Sequence, residues 1–410
     1  MDVQLRQSDV NLKSQIAITG SKSETNRLLL LQALYPNLKV NNVSNSDDSL
    51  MMIKALESEG SVIDIHHAGT AMRFLTAFFA TQENREVVLT GSTRMQERPI
   101  SILVDALRQL GANIAYEKNE GYPPIRISGK KLTESKVSLK ANVSSQYISA
   151  LLLVAPRLEK GLELTLEGEL TSIPYIQMTL SLLQEIGIET TFEGNRITVQ
   201  PKKEIAPQIS TVESDWSSAS YYYSIVAMAK VGTEITLSSY KENSFQGDSD
   251  LVAIYRHFGV ESIFEGNTVT LRKIEVSHSG AVTFDLKNTP DIAQTIAVTS
   301  FGLHKACRLT GLHTLKIKET DRLVALQNEL TKLGAVIAVT DDSLTLEVSE
   351  TIQSDVVIQT YQDHRMAMAF APLALKTSLI ISEAEVVSKS YPGFWDDLRK
   401  TGFRIAEQVL

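Results

Sequence analysis

The five residues Lys318-Glu319-Thr320-Asp321-Arg322 hold two cations and two carboxylates. Such a set can do two kinds of work, holding an anion and moving a proton to or from it. Read as a helix start, the stretch puts Lys318 and Arg322 at i,i+4 and Glu319 and Arg322 at i,i+3, on one face. The apolar residues Leu323, Val324, Leu326, Leu330 and Leu333 that follow have helical spacing. Alone, the set reads first as a solvated surface ion pair. Its company strengthens the functional reading, because other Lys and Arg residues also stand at helix starts or in Gly/Ser-rich turns.

Along the chain, Ser21-Lys22-Ser23-Glu24-Thr25-Asn26-Arg27 precedes the apolar run Leu28–Leu34, with Ser23 as the expected N-cap. Free N–H groups at a helix start, with the Lys22 ammonium and the Arg27 guanidinium, make an anion site. The spaced glycine of a Walker loop is missing. Gly69 and Thr70 open another helix and offer backbone N–H groups; His66-His67 beside them lacks metal-ligand spacing. Arg94 lies in the polar loop Thr90–Pro99, where its planar fork suits a carboxylate or phosphate. Ser144, Ser145 and Gln146 start a further helix, as do Ser172 and Tyr175 around Pro174. Both sets read as polar-ligand sites or as plain caps. Asp291 enters an apolar helix and is a structural acid or a base, while Arg365 and Lys389 follow in similar turns. Lys22, Arg27, Arg94, Lys318, Arg322, Arg365 and Lys389 would together suit a multiply charged small anion.

The composition bounds this reading. A chain of 410 residues with 43% hydrophobic and 21% charged content is globular and long enough for two domains. A net charge of −8 disfavours nucleic acid and anionic membranes as partners. Cys307 is the only cysteine, which excludes an internal disulfide and fits a reducing cytoplasm. The N-terminal residues lack a signal-peptide pattern, and no apolar run is long enough to span a bilayer.

The elements that must position these residues recur. An amphipathic helix, a glycine and an alternating strand meet at Gly60, Gly111, Gly187, Gly259, Gly334 and Gly402. A glycine there suits a left-handed residue closing the helix. Hairpins with turns at Glu193-Gly194-Asn195, Glu265-Gly266-Asn267 and Asp341-Asp342 follow three of them. The spacing of roughly 50 to 75 residues indicates a repeat architecture. Three units precede Pro201–Pro207 and three follow it, so that segment reads as a linker.

In order, these motifs resemble those of the 5-enolpyruvylshikimate-3-phosphate synthase family of enolpyruvyl transferases. The resemblance runs from Ser21-Lys22-Ser23 with Asn26-Arg27, through Ala68–Arg73, Arg94–Ile100, Ser144-Ser145-Gln146 and Ser172 with Pro174-Tyr175. It continues with Pro290-Asp291, Lys318–Leu323, Asp363–Met368 and Lys389 with Pro392. It implies an α/β (α+β) fold of two lobes, each of three βαβαββ repeats about a pseudo-threefold axis, an inside-out α/β barrel. One lobe would span 20–211 and the other 1–19 with 212–410, with the substrates bound in the cleft between them. The implied reaction transfers the enolpyruvyl group of phosphoenolpyruvate to the 5-hydroxyl of shikimate 3-phosphate and releases phosphate. It is a step towards chorismate and the aromatic amino acids, catalysed by a cytoplasmic monomer without cofactor or metal.

Carried over residue by residue, shikimate 3-phosphate would meet Lys22, Ser23, Arg27, Ser144, Ser145, Gln146, Ser172, Tyr175, Asp291, Thr314 and Lys318. Phosphoenolpyruvate would meet Lys22, Gly69, Arg94, Gln146, Arg322, Arg365 and Lys389, with Gly69 leaving room beside it. Asp291 would be the base. Glu319 would protonate the methylene carbon, with Lys22 assisting. The cations around Glu319 favour its ionised form, the wrong state for an acid; substrate anions and lobe closure would have to offset them. The sequence departs from the family pattern at His67, Phe74 and Thr314, where Asn, Pro and Asn are usual. The related transferases that act on UDP-N-acetylglucosamine use a loop cysteine, and Gly91–Pro99 has none. A catalytically silent anion-binding relative would be expected to lose Asp291 or Glu319. An RNA-end-processing enzyme with similar repeats is disfavoured by the net charge.

Overall fold

The computed structural model describes residues 1–140, 144–168, 173–276 and 280–408. The chain divides into two compact units, Gly20–Val212 and Met1–Thr19 with Glu213–Leu410. Each has its own hydrophobic core.

Among the described residues, five of the six sheets are four-stranded and share one strand-pairing pattern. In Gly20–Val212, strand Val62–Asp64 crosses over through helix Gly69–Ala80 to the parallel strand Glu86–Thr90. Helix Ser101–Gln109 then leads to the hairpin Asn113–Tyr116 and Ile125–Ser128, which adds antiparallel to Glu86–Thr90. That order is βαβαββ. The same pattern joins Lys136–Lys140, Leu162–Glu167, Thr190–Glu193 and Arg196–Val199. In the other unit it joins Lys13–Ile16, Glu234–Ser238, Val260–Glu265 and Thr268–Lys273. It recurs with Val282–Asp285, Cys307–Thr310, Ile337–Val339 and Leu344–Leu346. In the last sheet, Val356–Ile358 and Leu379–Ile381 are completed by the N-terminal strand Asp2–Arg6 and by Arg404–Gln408.

Three sequence expectations need correction here. The sixth sheet is only the parallel pair Leu38–Asn41 and Gln208–Thr211. Its helix Asp47–Glu57 runs past Gly60 into Val62–Asp64, the first strand of the next sheet, so no hairpin follows. Gly60 accordingly lacks the left-handed conformation, whereas Gly111, Gly187, Gly259, Gly334 and Gly402 have φ between 76° and 109°. Pro201–Pro207 is no linker either. Lys202 N donates to the Pro156 carbonyl at 2.8 Å, Tyr35 Oη donates to the Lys202 carbonyl at 2.6 Å, and Ile205 is buried. At Gly194 and Gly266, φ is 59°, as the first central residue of a type II′ hairpin turn requires.

The crossover helices carry the candidate site. Every residue of Gly69–Ala80, Trp216–Met228 and Ala293–Gly302 is buried. A helix apolar on all sides belongs inside a core, so its exposed chemistry is confined to its ends. Gly69, Ser145 and Gln146, Ser217 and Arg365 lie in first turns of such helices, and Asp291 lies in the 3₁₀ turn Pro290–Ile292 leading into one.

The chain enters Gly20–Val212 at a point with no space for a side chain. A Cβ on Gly20 would stand 2.0 Å from the Asn42 carbonyl oxygen and 2.5 Å from Val212 Cγ1. Gly20→Ala is expected to cost on the order of 1–3 kcal/mol, the range for overpacking, read as a lower denaturant midpoint at unchanged m-value.

Candidate active site

In the unit that contains Glu213–Leu410, three of the candidate residues converge on one carboxylate, Asp291. Arg322 Nη1 donates to Asp291 Oδ1 at 2.8 Å, and Lys318 Nζ lies 3.3 Å from the same oxygen. Arg365 Nη2 reaches Asp291 Oδ2 at 3.4 Å. Arg322 Nη2 also donates to Glu319 Oε2 at 2.7 Å. Lys389 stands apart from the carboxylate, its Nζ donating to the Gln362 carbonyl at 2.8 Å. The Thr314 hydroxyl, in the 3₁₀ turn His313–Ile317, is buried with no hydrogen-bond partner among the described residues.

The local path to this cluster differs from the helix start expected from Lys318–Arg322. The helix is Arg322–Lys332, and Asp321 is its N-cap, accepting from Leu323 N and Val324 N at 3.2 Å. Lys318 and Glu319 lie before it in non-helical backbone, so a bend rather than helical periodicity brings them to Arg322 and Asp291.

Charge balance explains why the cluster holds. Arg322 is 2% exposed and meets Asp363, which is fully buried, at 2.6 Å. Burial alone would favour its neutral form, but Asp363 and Asp291 raise its pKa. Burial pushes Asp291 upward, yet Arg365, then Lys318 and Arg322, outweigh it and hold the carboxyl well below the usual range. Arg365 is raised well above its usual value despite burial, with Asp291 the largest favourable charge. Its buried Nε has no hydrogen-bond partner among the described residues.

Two carboxylates in this cluster were given no role from the sequence. Asp363 caps helix His364–Phe370, accepting from Arg365 N at 2.8 Å. Its place before a small apolar run is an N-cap signal, but its pairing with Arg322 has none. Asp248 accepts from Ser217 Oγ and from Thr289 Oγ1, the latter at 2.6 Å. Ser217 Oγ in turn accepts from Arg365 Nη2 at 3.2 Å. Burial, then the Asp291 charge, raises the Asp248 pKa.

Gly20–Val212 holds the other candidates. The helix is Lys22–Leu34, and its cap is Ser21 rather than Ser23, accepting from Glu24 N at 3.2 Å. The Lys22 side chain is half-buried, with no hydrogen bond or ion pair among the described residues. Arg27 is buried among neutral acceptors, the Ser23 carbonyl at 2.7 Å, Thr179 Oγ1 at 2.8 Å and Ser149 Oγ at 2.9 Å. Its guanidinium carbon lies 5.4 Å from the Phe74 ring centroid and 5.9 Å from that of Tyr175. Burial lowers its pKa to about 10, against the raising effects of Tyr175 and Glu24.

Ser144 caps helix Ser145–Val154, and Gln146 Nε2 donates to Thr70 Oγ1 at 3.2 Å, which ties that helix to the start of Gly69–Ala80. Gly69 does not leave free room: a Cβ there would meet Arg98 Nη1 at 2.5 Å. Arg73 Nη1 holds the Gly69 carbonyl at 3.1 Å. The Thr90–Pro99 loop contains a short helix, Thr93–Gln96, with Ser92 as its cap. Arg94 is 83% exposed there and pairs with Glu97 at 2.8 Å. Ser172 lies outside the described residues. Cys307 is buried in a strand, and burial pushes its thiol up to about 11. Among the described residues no three His, Cys, Asp or Glu side chains gather as a metal ion would require, and no helix is long and apolar enough to cross a membrane.

The Asp291 shift has a sign that can be measured. Its folded pKa lies below the unfolded one, so the ionised group stabilises the fold above the unfolded value and loses that contribution as pH falls through the folded value. The stability difference between the parent and Asp291→Asn is therefore expected to be constant above about pH 5 and to shrink below about pH 4. Urea titrations across that range check it.

Comparison with known proteins identifies the family. Residues 55–398 match the family model for EPSP synthase (3-phosphoshikimate 1-carboxyvinyltransferase). The chain is 46% identical over 399 residues to the 3-phosphoshikimate 1-carboxyvinyltransferase of Bacteroides fragilis, covering 96% of each chain. It is 34% identical to the enzyme of the same name from Haemophilus influenzae, covering 95% of this chain and 96% of that one. A solved EPSP synthase from Acinetobacter baumannii superposes with a TM-score of 0.84 at 20% identity, over 99% of this chain and 100% of that one, and so shares the fold. With 96% of its length aligned to a curated member, this chain belongs to the EPSP synthase family of enolpyruvyl transferases.

Proposed function

We propose that the chain transfers the enolpyruvyl group of phosphoenolpyruvate to the 5-hydroxyl of shikimate 3-phosphate, with Asp291 as base and Glu319 as acid. The observation that carries the residue roles is Asp291, gripped by Lys318, Arg322 and Arg365 while Glu319 shares Arg322. The cations suited to an anionic substrate are thus already in contact with the two groups suited to moving protons. Asp291 takes the proton of the attacking hydroxyl as its oxygen bonds to C2 of phosphoenolpyruvate. Glu319, assisted by Lys22, delivers a proton to C3. Loss of a proton from C3 and expulsion of phosphate then give the enolpyruvyl ether.

Both units contribute. Shikimate 3-phosphate takes Lys22, Ser23, Arg27, Ser144, Ser145, Gln146, Ser172 and Tyr175 from one, and Asp291, Thr314 and Lys318 from the other. Phosphoenolpyruvate takes Lys22, Gly69, Arg94 and Gln146 from one, and Arg322, Arg365 and Lys389 from the other. Arg27 supports this reading, since its desolvated charge has only neutral hydrogen-bond partners and gains most from an anion. Thr314 supports it with an unmatched buried hydroxyl. The reaction needs no metal or organic cofactor. We place the enzyme in the cytoplasm as a monomer that binds neither nucleic acid nor membrane.

The test is phosphate release, which must require both substrates together; no release with the pair sinks the assignment. Glu319→Gln is expected to lower kcat by roughly 10²–10⁴-fold, the usual worth of general acid catalysis, and a loss within about tenfold removes it from that role. Gly69→Ala displaces only the flexible end of Arg98. It is expected to leave the thermal midpoint nearly unchanged and to raise KM for phosphoenolpyruvate in steady-state assays.

A further inference from the structure

Tyr361 and Gln362 are consecutive left-handed residues, with φ of 53° and 55°. Neither is glycine, and such backbone persists only where its surroundings over-determine it. One group that does so is Glu329, whose side chain is 0% exposed. Its Oε1 accepts from Tyr361 Oη at 2.7 Å, and its Oε2 accepts from Gln359 N at 3.0 Å. Lys332 Nζ donates to both oxygens, at 2.9 and 2.7 Å. Glu329 lies on helix Arg322–Lys332, seven residues beyond Arg322 and so two turns along the same face.

What leaves the turn is the binding apparatus. Gln362 O accepts from Lys389 Nζ at 2.8 Å. Asp363, the next residue, receives Arg322 Nε at 2.6 Å and caps the helix that carries Arg365. Three cations are thus set by residues 362–365, the stretch that begins in this left-handed turn.

We propose that Glu329 is a positioning residue: by gripping Gln359 and Tyr361, it fixes the turn that aims Arg322, Arg365 and Lys389 at the phosphoenolpyruvate anion. This rests on the reading that those three cations hold phosphoenolpyruvate. Glu329 itself touches no reacting atom. A purely structural role would lower stability without selecting one substrate.

The experiment uses the full chain with Glu329→Gln and Tyr361→Phe. The first substitution turns an amide N–H₂ towards one of the donors that the Glu329 carboxylate satisfies, and the second removes the phenol donor while keeping the ring. Both variants are expected to raise KM for phosphoenolpyruvate, by about tenfold for Glu329→Gln, with KM for shikimate 3-phosphate within about twofold. Amide exchange should quicken across residues 359–364, and the double variant should be no worse than Glu329→Gln alone. An unchanged KM for phosphoenolpyruvate, or an equal rise in both KM values, overturns the proposal. If Glu329→Gln fails to fold, Tyr361→Phe decides. If the parent releases no phosphate from the two substrates, the functional reading falls, and exchange at 359–364 still tells whether Glu329 holds the turn.

Discussion

A guanidinium sealed from water is compensated most fully by carboxylates sealed in with it. Arg322 is in that position, and much of its unit is arranged around the need. Asp363 arrives from the end of a strained turn, Asp291 from the mouth of a buried helix, and Glu319 from the bend before the helix that Arg322 itself opens. Each carboxylate also does a second job. Asp363 caps a helix, Asp291 bridges to Arg365 and Lys318, and Glu319 stays partly open to solvent. The geometry is consequently over-determined around one side chain, and the precision that a proton-transfer site requires comes with it.

Gly20–Val212 meets the same problem differently. Arg27 is as deeply buried as Arg322, yet its hydrogen bonds go to two hydroxyls and a carbonyl, with aromatic faces nearby. Neutral acceptors satisfy its donors without cancelling its charge. Its lowered pKa reports the desolvation that remains. Arg27 therefore presents a charge that an anion would newly neutralise, whereas Arg322 is already neutralised by acids of its own unit. An anion adds a counter-charge to the first and must displace one in the second.

The sequence displays what is local and periodic. The hairpins at Gly194 and Gly266, five of the six glycine caps, and the buried crossover helices all follow from turn chemistry and apolar spacing within a few residues. Gly60 misled because the same helix-glycine-strand pattern can enter the next sheet as easily as a hairpin. Pro201–Pro207 misled because prolines and charges resemble a linker even where a neighbouring tyrosine and arginine anchor the backbone. Asp248 was invisible because its partners Ser217 and Thr289 are 31 and 41 residues away. Arg98 over Gly69 is a contact of the same kind, made by the fold rather than by spacing. The grouping of Lys318, Glu319 and Arg322 was legible in the sequence, although a bend achieves it instead of the helix that their spacing suggested.

A carboxylate held well below its usual range is a weak proton acceptor, so Asp291 as it stands is poorly suited to be a base. The groups that hold it there are Arg365, Lys318 and Arg322, the same cations that a phosphate or carboxylate ligand would claim. Each cation drawn towards a ligand releases part of that hold, and the ligand's own negative charge pushes the proton affinity of Asp291 further up. Asp248, close enough for the two carboxylates to perturb each other, acts in the same direction whenever it is ionised. In the proposed reaction, anion binding and the making of a competent base are then one event rather than two. On the proposed roles, Asp291 is held back as a base by its own cations until the anion that needs it draws them away.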